Sequence, residues 1–95
     1  MQKIDNLPAC YSKIQTIVAV TTGNQIKNIT PQADLTVDLG LNLDIELPEI
    51  IIILNQEYED EDLDLDPGEI KQELLAAKPT VEELSKIVQE ARELG

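Results

Sequence analysis

The sequence predicts an all-α protein: an antiparallel four-helix bundle with a long loop between helices 1 and 2 and a short third helix. Three observations carry this. Apolar residues recur at helical spacing in separate stretches, and helix start signals stand in front of those stretches. The 95 residues also include only two aromatic side chains, Tyr11 and Tyr58. A core of Ile, Leu, Val and Ala suits helix packing better than an aromatic-rich sandwich. This length supports one modest core, so 1–95 is read as a single domain, with 1–8 a disordered N-terminal extension.

The first helix is expected over 9–22. Asn6 and Pro8 are its start signals, Tyr11, Ile14, Ile17 and Val18 share one face, and Gly23 is the stop. From Asn24 to Gly40 the helical spacing is lost. Thr30-Pro31 favours extended backbone, because the residue before proline is pushed out of the α region. Ile29, Ala33 and Leu35 are expected to pack inward from this loop. Four consecutive isoleucines, 50–53, have strand propensity, and a short apolar run cannot be typed by periodicity alone. Its flanks favour a helix over 46–58. Pro48 is acceptable in a first turn, and Leu47, Ile50, Ile51, Leu54 and Tyr58 form one stripe. A third helix over 68–77 follows from Asp66 as cap with Pro67 and Glu69 behind it. A fourth over 80–94 follows from the Thr80/Glu83 capping pair and the stripe Val81, Leu84, Ile87, Val88, Ala91, Leu94.

Charge narrows the function classes. Nineteen acidic against seven basic residues give a net charge of −12, a field that repels phosphate backbones and anionic membrane surfaces. Nucleic acid and membrane are therefore not expected as partners, whereas the basic surface of a protein partner is. Thirteen of the nineteen carboxylates lie between Asn28 and Ile70, a span with no Lys or Arg. With one cysteine, Cys10, and no histidine, the chain lacks an internal disulfide, a thiolate–imidazole pair and an ordinary zinc site. No catalytic residue, metal site or enzymatic activity is expected. The N-terminus lacks a basic segment followed by an apolar one, and the longest apolar run, Ile50–Leu54, is five residues. A cytoplasmic monomer is the expectation.

The run Ile29-Thr30-Pro31, Ala33, Leu35, Asp38-Leu39-Gly40 resembles the loop before the attachment site of acyl and peptidyl carrier proteins, whose pattern is I-T-P-x-A-x-F/L-x-x-D-L-G-x-D-S-L. Leu63, Leu65 and Pro67 are similar to the family's I-x-I-P segment, and Thr80-Val81 to the T-V that opens its last helix. The resemblance covers roughly 9–94. It implies a four-helix carrier whose serine, at the start of the second helix, bears phosphopantetheine. Here that serine is missing. Its position falls on Leu43 without a gap, on Asp44 if the second helix is aligned back from Tyr58, or on Asn42 if Leu43-Asp44 matches the family's leucine and aspartate. None offers a hydroxyl. Pro48 and about four extra residues before Leu63 are further departures. Phosphopantetheine is accordingly not expected.

Other motifs are weaker. Asp62, Asp64, Asp66 and Glu73 mimic a calcium loop, but its sixth position, which needs glycine, is Pro67. Cys10 has no histidine to activate it and reads as a partly buried packing residue. Ile52 points away from the core stripe and reads either as a stray surface isoleucine or as a partner contact. Asp44 reads as a helix cap, or as a fixed negative charge where carrier proteins hold their phosphodiester. The sequence thus points to a carrier-like, non-catalytic, acidic protein–protein interaction module that docks through Asp38, Asp44, Glu46, Glu49 and Ile52. Its expected partner is a basic protein such as a synthase or carrier-modifying enzyme. The alternative is a discrete acyl or peptidyl carrier with an unconventional attachment site.

Overall fold

Four α-helices form in a computed structural model that describes residues 7–94, the Leu94 side chain excepted. They are α1 (Tyr11–Thr22), α2 (Glu46–Glu57), α3 (Pro67–Ala76) and α4 (Val81–Leu94), with 3₁₀ turns at Ile26–Asn28 and Glu59–Glu61. Among the described residues there is no strand, only one isolated bridge between Asp34 and Thr80. The isoleucine run is helical. Residues 1–6 lie outside the described residues, and with them most of the expected disordered extension. Leu7 packs against the core and the Pro8 carbonyl accepts the Tyr11 N–H at 3.0 Å, so that extension does not include 7 and 8.

The helices end where their chemistry ends them. Gly23 adopts a left-handed φ of 76° and its N–H returns to the Ala19 carbonyl, closing α1. The Asp66 carboxylate accepts the Gly68 N–H at 3.0 Å and Pro67 occupies the first helical position of α3, where no N–H is needed. Thr80 Oγ1 accepts the Glu83 N–H at 3.1 Å at the start of α4. Cys10 stands just before α1 rather than within it. It is buried, not partly buried, and its Sγ donates to the Ser85 carbonyl at 3.3 Å. Burial pushes the thiol's pKa up, and the charge of Arg92 offsets only part of that rise.

One apolar cluster holds these elements together. α1 packs on α2 and α4, and α3 packs on α2 and α4. The expected stripes supply the core: Ile14 and Val18 from α1, Leu47, Ile50, Ile51 and Leu54 from α2, Leu84 and Val88 from α4. Ile29, Ala33, Leu35, Leu39 and Leu41 from the segment 23–45 are buried among them. That segment is fastened throughout. Tyr11 and Gln15 both donate to the Ile29 carbonyl, at 3.2 and 2.7 Å, and Asn24 Nδ2 donates to the Leu39 carbonyl at 2.9 Å. The Leu35 N–H donates to Pro79, while the Val81 and Glu82 N–H groups of α4 donate to Ala33 and Pro31. Loop carbonyls therefore satisfy donors that a helix N-terminus cannot pair within itself.

The acidic run is tied down by two contacts. Asn55 clamps the Leu65 backbone, donating to its carbonyl at 3.3 Å and accepting its N–H at 2.8 Å. Arg92 forks onto Glu61 at 3.0 and 3.1 Å and lies 4.2 Å from the Tyr58 ring centre. The guanidinium lowers the Glu61 pKa. Among the described residues no helix is long and apolar enough to cross a membrane.

Two substitutions in α2 separate core from surface. Leu54→Ala removes a fully buried side chain and is expected to cost about 2–5 kcal/mol, whereas Ile52→Ala, on the outer face, is expected to stay within about 0.5 kcal/mol. Urea denaturation of both variants checks the assignment.

Candidate functional site

The turn 34–40 and the residues leading into α2 form two successive capping arrangements. Asp34 Oδ1 accepts from the Thr36 and Val37 N–H groups and from the Thr36 hydroxyl, all at 2.8–2.9 Å, and Asp38 Oδ2 accepts the Asp34 N–H at 2.8 Å. These bonds, led by that from Val37, hold the Asp34 carboxyl below its usual pKa. Gly40 closes the turn with a φ of 71°, which permits the Leu41 N–H to reach the Leu35 carbonyl at 2.7 Å. Eight residues after Asp34 the pattern recurs. Asn42 Oδ1 accepts the N–H groups of Asp44 and Ile45 at 2.8 and 3.1 Å, and Glu46 Oε1 accepts the Asn42 N–H at 2.8 Å.

Asn42, not Asp44, is therefore the residue that caps the approach to α2. The carboxylate of Asp44 instead meets Lys71 Nζ of α3 at 2.5 Å. The side chain of Asp44 is 73 % exposed, so the pair is a surface ion pair worth at most about 1 kcal/mol. Leu43 is partly buried against the core. Of the three positions at which a carrier serine is sought, Asn42 is occupied with backbone bonds, Leu43 faces the apolar cluster and Asp44 faces solvent.

The five expected docking residues are drawn together only in part. Asp38 and Glu46 are engaged with backbone N–H groups and Asp44 with Lys71. Glu49 and Ile52 are exposed on the outer face of α2. Sequence reasoning missed Ile45, 64 % exposed, which lies seven residues before Ile52 and thus on the same side of the helix. It also missed Val37, at 82 % the most exposed large aliphatic side chain on the described chain. The signal was available for Ile45, since its spacing to Ile52 matches that of the core stripe turned outward. None was available for Val37, whose exposure follows from the turn geometry.

Between α2 and α3 lies a shallow pocket of about 240 Å³, lined by Leu43, Asp44, Pro48, Pro67, Gly68 and Lys71. It contains no hydroxyl, thiol or imidazole. What it offers a ligand is aliphatic contact beside one ion pair. The hydroxyls elsewhere are distant in the chain or occupied: Ser85 is buried and donates to the Val81 carbonyl, and the Thr36 hydroxyl donates to Asp34. The chain matches no protein-family model, no curated protein and no solved structure.

The capping roles make opposite demands on two neighbours. Asn42→Ala is expected to destabilise the protein by about 1 kcal/mol, and Asp44→Ala by less than about 0.5 kcal/mol. Denaturation midpoints at a common slope measure both; a larger loss for Asp44→Ala contradicts the placement of the cap at Asn42.

Proposed function

We propose that this protein is an acyl-carrier-like, non-catalytic interaction module that carries no phosphopantetheine and works by docking to a basic protein surface in the cytoplasm. The observation that carries the reading is the outer face of α2. Ile45 and Ile52 stand exposed on one side of it, with Glu49 between them and Ile53 beside them. An aliphatic stripe bordered by carboxylates gives a partner both apolar area to bury and a field that orients its approach. The field has one sign here, because the chain from Asn28 to Ile70 holds thirteen carboxylates and no Lys or Arg.

Support for the carrier likeness comes from the resemblance of the 29–40 segment and from the place of Asp44, solvent-facing and two residues before α2. That register puts a carboxylate where a carrier has its serine. No Ser or Thr lies between Leu41 and Leu94 except Thr80 and Ser85, at and within the start of α4, and no observation favours attachment of the arm at either.

Restoring the hydroxyl tests this directly. Asp44→Ser, incubated with coenzyme A and a broad-specificity phosphopantetheinyl transferase, is expected to gain the mass of phosphopantetheine, while the natural sequence stays unchanged. Adding Glu49→Gln and Ile52→Ser to that variant is expected to lower the transferase's kcat/KM about tenfold. A mass gain on the natural sequence would make it a true carrier. Failure of serine at 42, 43 and 44 alike would overturn the carrier likeness, and an unchanged kcat/KM would overturn the docking face.

A further inference from the structure

A second acidic surface lies away from the α2 face, in the cleft between α3 and α4. This cleft encloses about 230 Å³ and is lined by Asp64, Asp66, Glu69, Glu73 and Glu90 around Leu65, Ile70, Ile87 and Ala91. Among the described residues no Lys or Arg lines it. Four basic side chains among them pair with carboxylates outside the cleft, Lys13 with Glu57, Lys71 with Asp44, Lys86 with Glu82 and Arg92 with Glu61, and neither Lys27 nor Lys78 lines it. The rim is therefore anionic, while the base is aliphatic and closely packed, with Leu65, Ile70 and Ile87 each less than a tenth exposed.

We infer that this cleft is a docking groove for a lysine-bearing segment of a partner protein, with methylene stems lying on Ala91 and the exposed edges of Leu65 and Ile87 and ammonium groups received by Glu69, Glu73 and Glu90. The pairing of rim and base selects this occupant. A hydrated divalent cation gains nothing from an aliphatic base, and among the described residues no three acidic, cysteine or histidine side chains converge closely enough to hold a metal ion. A purely apolar segment would desolvate carboxylates without replacing their partners. A long cationic side chain satisfies both halves, because its stem covers apolar surface while its head remains polar. Its insertion also relieves the repulsion among carboxylates that find no basic partner among the described residues.

The groove is independent of the proposed α2 face and is read on different residues. The full chain, labelled with ¹⁵N, is titrated with a short oligolysine peptide. The largest shifts are expected at the amides of Ile70, Glu73, Ile87, Glu90 and Ala91. A peptide of equal charge built from the shorter-stemmed diaminobutyrate is expected to bind several-fold more weakly. Glu73→Gln with Glu90→Gln is expected to lower oligolysine affinity about tenfold. Glu59→Gln with Asp60→Asn, which removes the same charge outside the cleft, is expected to leave it unchanged. The inference is overturned if both double variants weaken binding equally, if the two peptides bind alike, or if shifts centre on Ile45, Glu49 and Ile52. It is equally overturned if calcium, magnesium or spermine reproduces the same local shifts at matched ionic strength. Should the Glu73/Glu90 variant fail to fold, the comparison of the two peptides on the natural sequence decides.

Discussion

The attachment of the 31–35 backbone to the start of α4 is the constraint on which the rest of the structure depends. A helix begins with N–H groups that have no partner within it. At α4 two of these, from Val81 and Glu82, go to the carbonyls of Ala33 and Pro31, and the Leu35 N–H goes the other way to Pro79. A connection of more than twenty residues, 23–45, thereby becomes part of the packed protein. Its Ile29, Leu35, Leu39 and Leu41 side chains are buried. With Leu41 held in the core, Asn42 stands where its side chain can cap the approach to α2, and Asp44 is turned to solvent beside Lys71.

The same packing decides where charge is compensated. Ion pairs sit at the margins of elements: Lys13 with Glu57 near the end of α2, Lys71 with Asp44 before its start, Arg92 with Glu61 in the turn after it. Each ties two elements together and is worth little alone, because surface pairs lose most of their Coulomb energy to solvent. Among the described residues the carboxylates they leave unpaired include those of the outer face of α2 and of the cleft between α3 and α4. In both places exposed or shallowly covered aliphatic carbon lies beside carboxylates. The unpaired carboxylates add nothing to the stability of the isolated chain, whereas Leu65, Ile70 and Ile87 beneath the cleft belong to its core.

The helices and most of the core were legible in the sequence because burial imposes a period. The stripes of α1 and α2 name only buried residues, as do Val81, Leu84, Ile87 and Val88 of the α4 stripe, whereas Ala91 is half-buried and the Leu94 side chain lies outside the described residues. The isoleucine run is helical because Leu47, Leu54 and Tyr58 extend its apolar side at helical spacing. Caps were legible where side chain and helix start are adjacent, as at Asp66 and Thr80. The cap before α2 was not, because the residues between Gly40 and Pro48 allow three registers and both Asn42 and Asp44 are good capping types. Contacts between a side chain and a distant backbone leave no trace in spacing: Asn55 with Leu65, Tyr11 and Gln15 with Ile29, Asn24 with Leu39. The Asp44–Lys71 pair, twenty-seven residues apart, depends on how α3 is laid against α2. The cleft was invisible for the same reason, since its two walls come from separate helices and the sequence shows them only as two acidic, amphipathic stretches.

The central claim is that the 23–45 connection is a packed element held by α4, and native-state hydrogen exchange tests it most directly. The amides of Leu35, Leu41, Val81 and Glu82 each donate to a carbonyl in a defined place. They are expected to exchange with protection approaching that of core helical amides such as Val88, and to lose it together with the global unfolding transition. Exchange of Leu35 and Leu41 near the rates of an unstructured chain, with α4 still protected, would contradict the account.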